Sequence, residues 1–385
     1  MKDLLRIYVL WAPAKDEATS KRIADLIAIH FDGIGMERDG VAFRVPVRFR
    51  SEAWDETSAA PKAINFALAH HNAIILLHDS FMHLRRAVWN GYVSDLKQVI
   101  AKRGYVDLYI PFGSPTGEAP LPCDQKDRTH YAQRKRWHAA LSSEKERDIR
   151  LLLHVVFAMR QHLKQIFQPG AADEKLFVSH AKVDGDTAAE AIVDYVNDTN
   201  QDVPLKTFYD AKELTPGVNF QKQFEREIKN GTLLAIVSDI YDTRPWCIYE
   251  LTTAKRERRP IVLADVGRVR TNRTYPYGAN VPKVRVSETG TAWIESLLLQ
   301  TMSEGMRCDL IEAKGARLRK AGTLDDDALV LPRPPELFDL TDAKRLPSKI
   351  VYPDPPLGLV ESGILQKALA LISSNTKLMT LSEVR

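Results

Sequence analysis

The chain has 385 residues, 44% hydrophobic and 27% charged, with a formal net charge of +4. That composition belongs to folded globular chains rather than disordered ones, and the length suggests two or three domains. So small a charge gives no reason to expect nucleic acid as a partner. The three cysteines (Cys123, Cys247 and Cys308) fit neither a disulfide framework nor a zinc site.

A reducing cytoplasm is the expected location. The opening stretch 1–22 is apolar for only about one strand before charges resume, so it does not read as a signal peptide. The apolar peak LLLHVVFAM (151–159) is too short to span a bilayer, and no membrane partner is expected.

In chain order, LLRIYVL (4–10) predicts a strand, Ile23, Leu26 and Ile27 a helix, and VPVRFR (45–50) a strand. A helix follows around PKAINFALAH (61–70), then a strand at AIILLH (73–78), a helix from near Trp89 and a strand at VDLYIPF (106–112). The stretch 121–168 is charged and ends in a connecting helix. Its His130, His138, His154 and His162 include no i, i+4 pair, so no metal is expected.

The same alternation returns at 174–286. KLFVSH (175–180) reads as a strand, and Ala189, Ile192, Val193 and Val196 mark a helix over 186–197. LKTFYD (205–210) is a strand, AKELTPGVNF a loop with a Pro-Gly break, and Phe220, Phe224 and Ile228 a helix. TLLAIVS (232–238), PWCIYELTTAKRE (245–257) and PIVLADV (260–266) complete a strand, helix and strand. The fold class is therefore α/β: two flavodoxin-like parallel-sheet units joined by a helical linker, plus a C-terminal extension. The matching order, with a tryptophan opening the same helix in both, favours duplication. Past 286 the pattern weakens to a helix at 292–302, proline-rich extended stretches and a short helix at 360–372.

If the sheet is parallel, VSHAKVDGD, FYDAKELTPG and SDIYDTRPWCIYE all leave the carboxyl ends of strands, where open α/β sheets build ligand sites. Ser179, His180, Phe208, Asp210 and Glu250 would then line one crevice. No G-x-G-x-x-G or P-loop is present. Trp246 and Glu250 are one helical turn apart.

These three boxes, LFVSH, FYDAKELTPG and SDIYDTRPWCIYEL, resemble the Toll/interleukin-1 receptor (TIR) domain in order and placement. The resemblance covers about 174–286 and implies either a scaffolding adaptor or an enzyme cleaving NAD+ at the nicotinamide–ribose bond. In the enzymes a W-x-x-x-E arrangement carries the critical glutamate, which maps onto Trp246 and Glu250. The loop bordering substrate and mediating packing between subunits maps onto Asp210 to Gly217, including Pro216. Substrate-binding positions are then Ser179, His180, Phe208, Asp210, Pro216, Gly217 and Trp246, with Glu250 catalytic. No metal or resident cofactor is expected, NAD+ being the substrate.

The divisions expected are 1–118 (a TIR-like unit that has lost the acid), 119–173 (linker), 174–286 (catalytic TIR domain) and 287–385 (extension). In VWNGYVSDL (88–96) Trp89 aligns with Trp246, and Val93 falls where Glu250 falls. Trp246 reads equally as core anchor or ligand contact. Ser179 and His180 read first as loop polar groups, and Cys247 as a small buried residue. The resemblance implies an assembly-activated antiphage effector that self-associates through TIR domains under an upstream activator protein or nucleotide signal. The alternatives are a non-enzymatic scaffold and a nucleotide-signal sensor.

Overall fold

The computed structural model describes residues 2–12, 17–33, 43–50, 61–121, 130–170, 175–205, 207–208, 220–268, 278–287, 290–341, 347–354, 357–373 and 375–384. The chain divides into two compact units, Met1–His162 with Asp198–Pro204, and Leu163–Asn197 with Leu205–Arg385.

In the first unit β1 (Asp3–Leu10), β2 (Val47–Arg50), β3 (Ala69–Leu77) and β4 (Leu108–Phe112) form a parallel sheet in the order β2-β1-β3-β4. Helices α1 (Glu17–Asp32), α2 (Ser80–Leu84), α3 (Arg86–Lys102), α4 (Arg134–Ala140) and α5 (Glu144–Phe167) accompany it. β3 is buried almost throughout, as expected of a strand covered on both faces. On one face Tyr8, Leu10, Ile74 and Leu76 pack with Trp89, Val93, Leu96 and Ile100 of α3. Each such side chain contributes about 1.5–3 kcal/mol on leaving water.

The helix expected at 61–70 is not formed. Asn65 Oδ1 instead accepts from Ala67 N at 3.0 Å and caps a single 3-10 turn, Phe66–Leu68, after which β3 begins at Ala69. Asparagine satisfies backbone donors locally and so competes with helix, while the apolar run behind it joins the sheet.

Several histidines make this unit acid-sensitive, His78 and His154 among them. Burial, with His83 alongside, pushes His78 from 6.5 to about 4. Burial pushes His154 to about 3, while its Nε2 donates to the Asp202 carbonyl at 3.1 Å. A folded value below the unfolded one means that the unfolded chain binds more protons between the two. Stability is therefore full above 6.5 and falls as pH drops toward 4 and 3, by up to about 1.4 kcal/mol per pH unit for each histidine. Urea midpoints between pH 7 and 4 should fall steadily for the wild type and less steeply for His154→Gln.

The second unit carries a five-stranded parallel sheet, β6-β5-β7-β8-β9 in space. Its strands are β5 (Leu176–His180), β6 (Thr207–Phe208), β7 (Thr232–Val237), β8 (Ile261–Asp265) and β9 (Lys283–Arg285). Between them stand α6 (Asp186–Asn197), α7 (Phe220–Ile228) and α8 (Pro245–Arg256). Both sheets follow the flavodoxin-like order, 2-1-3-4 with a fifth strand in the second. Pro245 sits in the first turn of α8, where its missing N–H costs nothing. Phe177, Leu233, Ala235, Leu251, Ala254 and Leu263 form the core beneath that helix.

The helix expected over 292–302 runs from Ala292 to Lys320 as α9. It packs on β7 and β8, and Tyr195 of α6 hydrogen bonds the buried Glu295 at 2.5 Å. Beyond it lies a second parallel sheet absent from the sequence expectation: β10 (Leu329–Val330), β11 (Lys349–Tyr352) and β12 (Lys377–Thr380). With α10 (Leu337–Thr341) and α11 (Leu359–Ile372) it encloses Leu331, Leu340, Ile350, Tyr352 and Leu369. Gly315 lets β10 approach α9, because a Cβ there would lie 2.9 Å from Val330 Cγ2.

Candidate functional site

At the carboxyl end of β5, Ser179 and His180 are nearly covered. Ser179 Oγ donates to Glu250 Oε2 on α8 at 2.5 Å and lies 2.8 Å from the Tyr241 hydroxyl. With the serine proton committed to the carboxylate, Tyr241 donates to Ser179, giving a chain Tyr241–Ser179–Glu250 aimed at one acid oxygen. Glu250 is only 3% exposed. A buried carboxylate needs such donors, because desolvation otherwise favours its neutral form.

The surrounding groups hold the turns in place. His180 Nε2 lies 3.1 Å from Asp186 Oδ1 at the start of α6, and the Cys247 thiol donates to the His180 carbonyl at 3.4 Å. Ser238 Oγ donates to Asp184 Oδ1 at 2.6 Å and Ile240 N to Asp184 Oδ2 at 3.1 Å, tying the loop after β5 to the loop after β7. Burial, then the Glu250 carboxylate, pushes the Cys247 thiol up to about 12, which removes it as a nucleophile at neutral pH.

Trp246 is not a core anchor. It is 37% exposed and stacks on Tyr249 with ring centroids 5.0 Å apart. The Tyr249 hydroxyl in turn hydrogen bonds Glu225 of α7. Phe208 lies on β6 opposite Phe177. Asp210, Pro216 and Gly217 lie outside the described residues. Ser179, His180 and Glu250 thus meet at one end of the sheet, joined by Tyr241, which sequence reasoning did not single out. Its only signal was its position inside SDIYDTRPWCIYEL, since the 3-10 turn Tyr241–Thr243 is what turns it inward. Among the described residues no group of three His, Cys, Asp or Glu side chains could hold a metal ion, and no helix is long and apolar enough to cross a membrane.

Residues 176–296 match the family model of the TIR domain. That stretch is a TIR domain. It extends past the expected boundary at 286, taking in the start of α9. TIR domains serve signalling or NAD+ cleavage and commonly self-associate. No curated protein matches the chain.

The helix after the third strand of the first sheet differs from α8 in its buried positions, whose phase is one residue out of step with the tryptophan-based alignment. α3 buries Trp89, Val93, Leu96 and Ile100, whereas α8 buries Cys247, Glu250, Leu251 and Ala254. Matching the buried phases sets Trp89 on Cys247, Val93 on Leu251 and Leu96 on Ala254. Tyr92, rather than Val93, then stands at the place of Glu250. On the strand, Tyr8, Leu10 and Ala12 occupy the face that Phe177, Ser179 and Ala181 occupy in β5 and the loop after it, so Leu10 replaces the serine. Neither polar partner is retained.

Proposed function

We propose that the TIR domain is an NAD+ nucleosidase, with Glu250 as its catalytic carboxylate, cleaving the nicotinamide–ribose bond. The observation that carries this reading is the Ser179–Glu250 hydrogen bond of 2.5 Å, which fixes a carboxylate beside the joined loops that follow β5 and β7. Cleavage leaves positive charge on the ribose, and a fixed anion stabilises that charge without reorganising. Nicotinamide departs with the bonding electrons as a neutral molecule, so no second acid has to protonate it. Water adding to the ribose carbon and losing a proton gives ADP-ribose. Attack by the adenine of the same molecule, with loss of a proton, gives a cyclic ADP-ribose-type product. No metal or resident cofactor takes part.

At 3% exposure Glu250 is shielded, so the described conformation is a resting one. Self-association through TIR domains uncovers the acid, as expected of an assembly-activated antiphage effector in the cytoplasm responding to an upstream protein or nucleotide signal. Head-to-tail contacts of this kind build rings or filaments. In this reading 1–118 is a TIR-like unit without the acid, 119–173 a linker and 287–385 an extension of the catalytic unit. The shielding also favours a second reading, a non-enzymatic scaffold in which the Ser179–Glu250 bond is structural. Nicotinamide release from NAD+ at rising protein concentration separates the two. The enzyme reading expects release per mole of protein to climb steeply for the wild type and stay at background for Glu250→Ala. No release at any concentration supports the scaffold.

A further inference from the structure

The first unit contains a cavity of about 370 Å³ between β4, the segment 130–136, α5 and the segment 202–204. That is within the range of small-molecule sites, about 300–1,000 Å³. We infer that it binds a nucleoside monophosphate, a flat heteroaromatic ring bearing one phosphate. Tyr131 and Phe157, each partly exposed, supply the ring-stacking walls, and Arg136 supplies the phosphate contact.

The walls are fixed by backbone bonds. Ala132 N donates to the Pro111 carbonyl at 3.1 Å and Gly113 N to the Ala132 carbonyl at 2.9 Å, fastening the segment that carries Tyr131 along the edge of β4. His154 faces the cavity and is held by the Asp202 carbonyl, with the Trp137 ring packed on it at 4.5 Å between centroids. Trp137 is wholly buried, and its indole N–H has no partner among the described residues. A buried donor of this kind costs free energy that fully satisfied interiors avoid.

The polar side of the cavity suits an anion. Arg136 stands 3.8 Å from Asp202 Oδ1, a loose pair, with 59% of its side chain exposed. A phosphate competes well for such a guanidinium, because two parallel N–H···O bonds replace one distant contact. Burial pushes the Asp202 carboxyl above its usual range, against the pull of Arg136. Asp202 has φ +53, a left-handed conformation, within the segment Asp198–Pro204 that connects α6 to β6 in the chain and belongs to the first unit.

The test is calorimetric titration of the full chain with adenosine 5′-monophosphate, adenosine and ribose 5-phosphate. Saturable binding of the monophosphate is expected, at least about tenfold tighter than of either fragment. Arg136→Gln should bring its affinity down to that of adenosine. Tyr131→Ala should weaken it about tenfold, the scale of one lost base stack. Ala158→Trp, which fills the cavity, should abolish binding while leaving the far-ultraviolet spectrum unchanged. Glu250→Ala should bind as the wild type does, which separates this site from the proposed NAD+ site. The proposal fails if the wild type does not bind the monophosphate, if adenosine binds equally well, or if Tyr131→Ala and Ala158→Trp both leave affinity unchanged. Loss of binding in Glu250→Ala would also overturn it.

Discussion

Asp339→Ala should destabilise the second unit by about 3–5 kcal/mol. Arg333 is 4% exposed, and its guanidinium donates to Asp339 Oδ2 at 2.8 Å and to the Lys255 carbonyl at 3.2 Å. Lys255, equally buried, donates to Glu336 Oε1 at 2.8 Å and to the Ala279 carbonyl at 2.7 Å. Removing the aspartate leaves a guanidinium in a dry site with two backbone acceptors, the Lys255 and Pro334 carbonyls, and only a share of Glu336, 3.6 Å away and already bound to Lys255; the cost of that under-compensated charge exceeds the net worth of the pair. Arg333→Met combined with Asp339→Leu should recover most of the loss, since no charge is then stranded. Urea unfolding followed by far-ultraviolet circular dichroism measures both. A loss below about 1 kcal/mol for Asp339→Ala would mean that the pair is solvated in solution. Because Lys255 and Glu250 share α8, the same cluster ties the end of that helix to the segment 331–339.

Val93→Glu should unfold the first unit outright or cost it about 3–5 kcal/mol. Val93 is wholly buried among Trp89, Leu96 and Ile74, where a carboxylate finds neither water nor a donor. Tyr92→Glu is the informative companion. Tyr92 is half-buried and its hydroxyl donates to the Lys62 carbonyl at 2.9 Å, so its loss should cost only about 1–2 kcal/mol. If Val93→Glu were tolerated and Tyr92→Glu were not, the buried-phase alignment of α3 with α8 would be wrong. The unfolding transition of the first unit, read by the same circular dichroism, decides between them.

The TIR stretch was legible because each of its boxes lies where an apolar strand ends and polar residues begin, so strand order alone predicts their convergence. Ser179 and Glu250 were placed together that way. Tyr241 was not, because a single 3-10 turn leaves no periodic trace. Matching α3 to α8 by tryptophan identity and matching them by buried phase differ by one residue. Trp89 fills a core and Trp246 a surface stack, so the buried phase rather than the residue type is what the two helices share.

The C-terminal region was harder for a physical reason. α9 is buried on several sides, with the polar Glu295, Thr301, Glu304 and Asp309 covered as well as Leu297, Leu298 and Met302, so it lacks the single apolar stripe that reveals a helix. β10, β11 and β12 hold two to four residues each, too few for an alternation to register, and prolines flank the first two. β9 is short and largely exposed at a sheet edge, which hid it as well.

The central claim rests on the charge of Glu250, and Glu250→Gln tests that charge most directly. Glutamine keeps the shape and can still accept from Ser179, but it carries no anion to meet the ribose cation. Nicotinamide release from NAD+ at a protein concentration where the wild type is active should fall by about 10²–10³ in this variant, with the melting temperature unchanged. Release within a few-fold of the wild type would contradict Glu250 as the catalytic carboxylate.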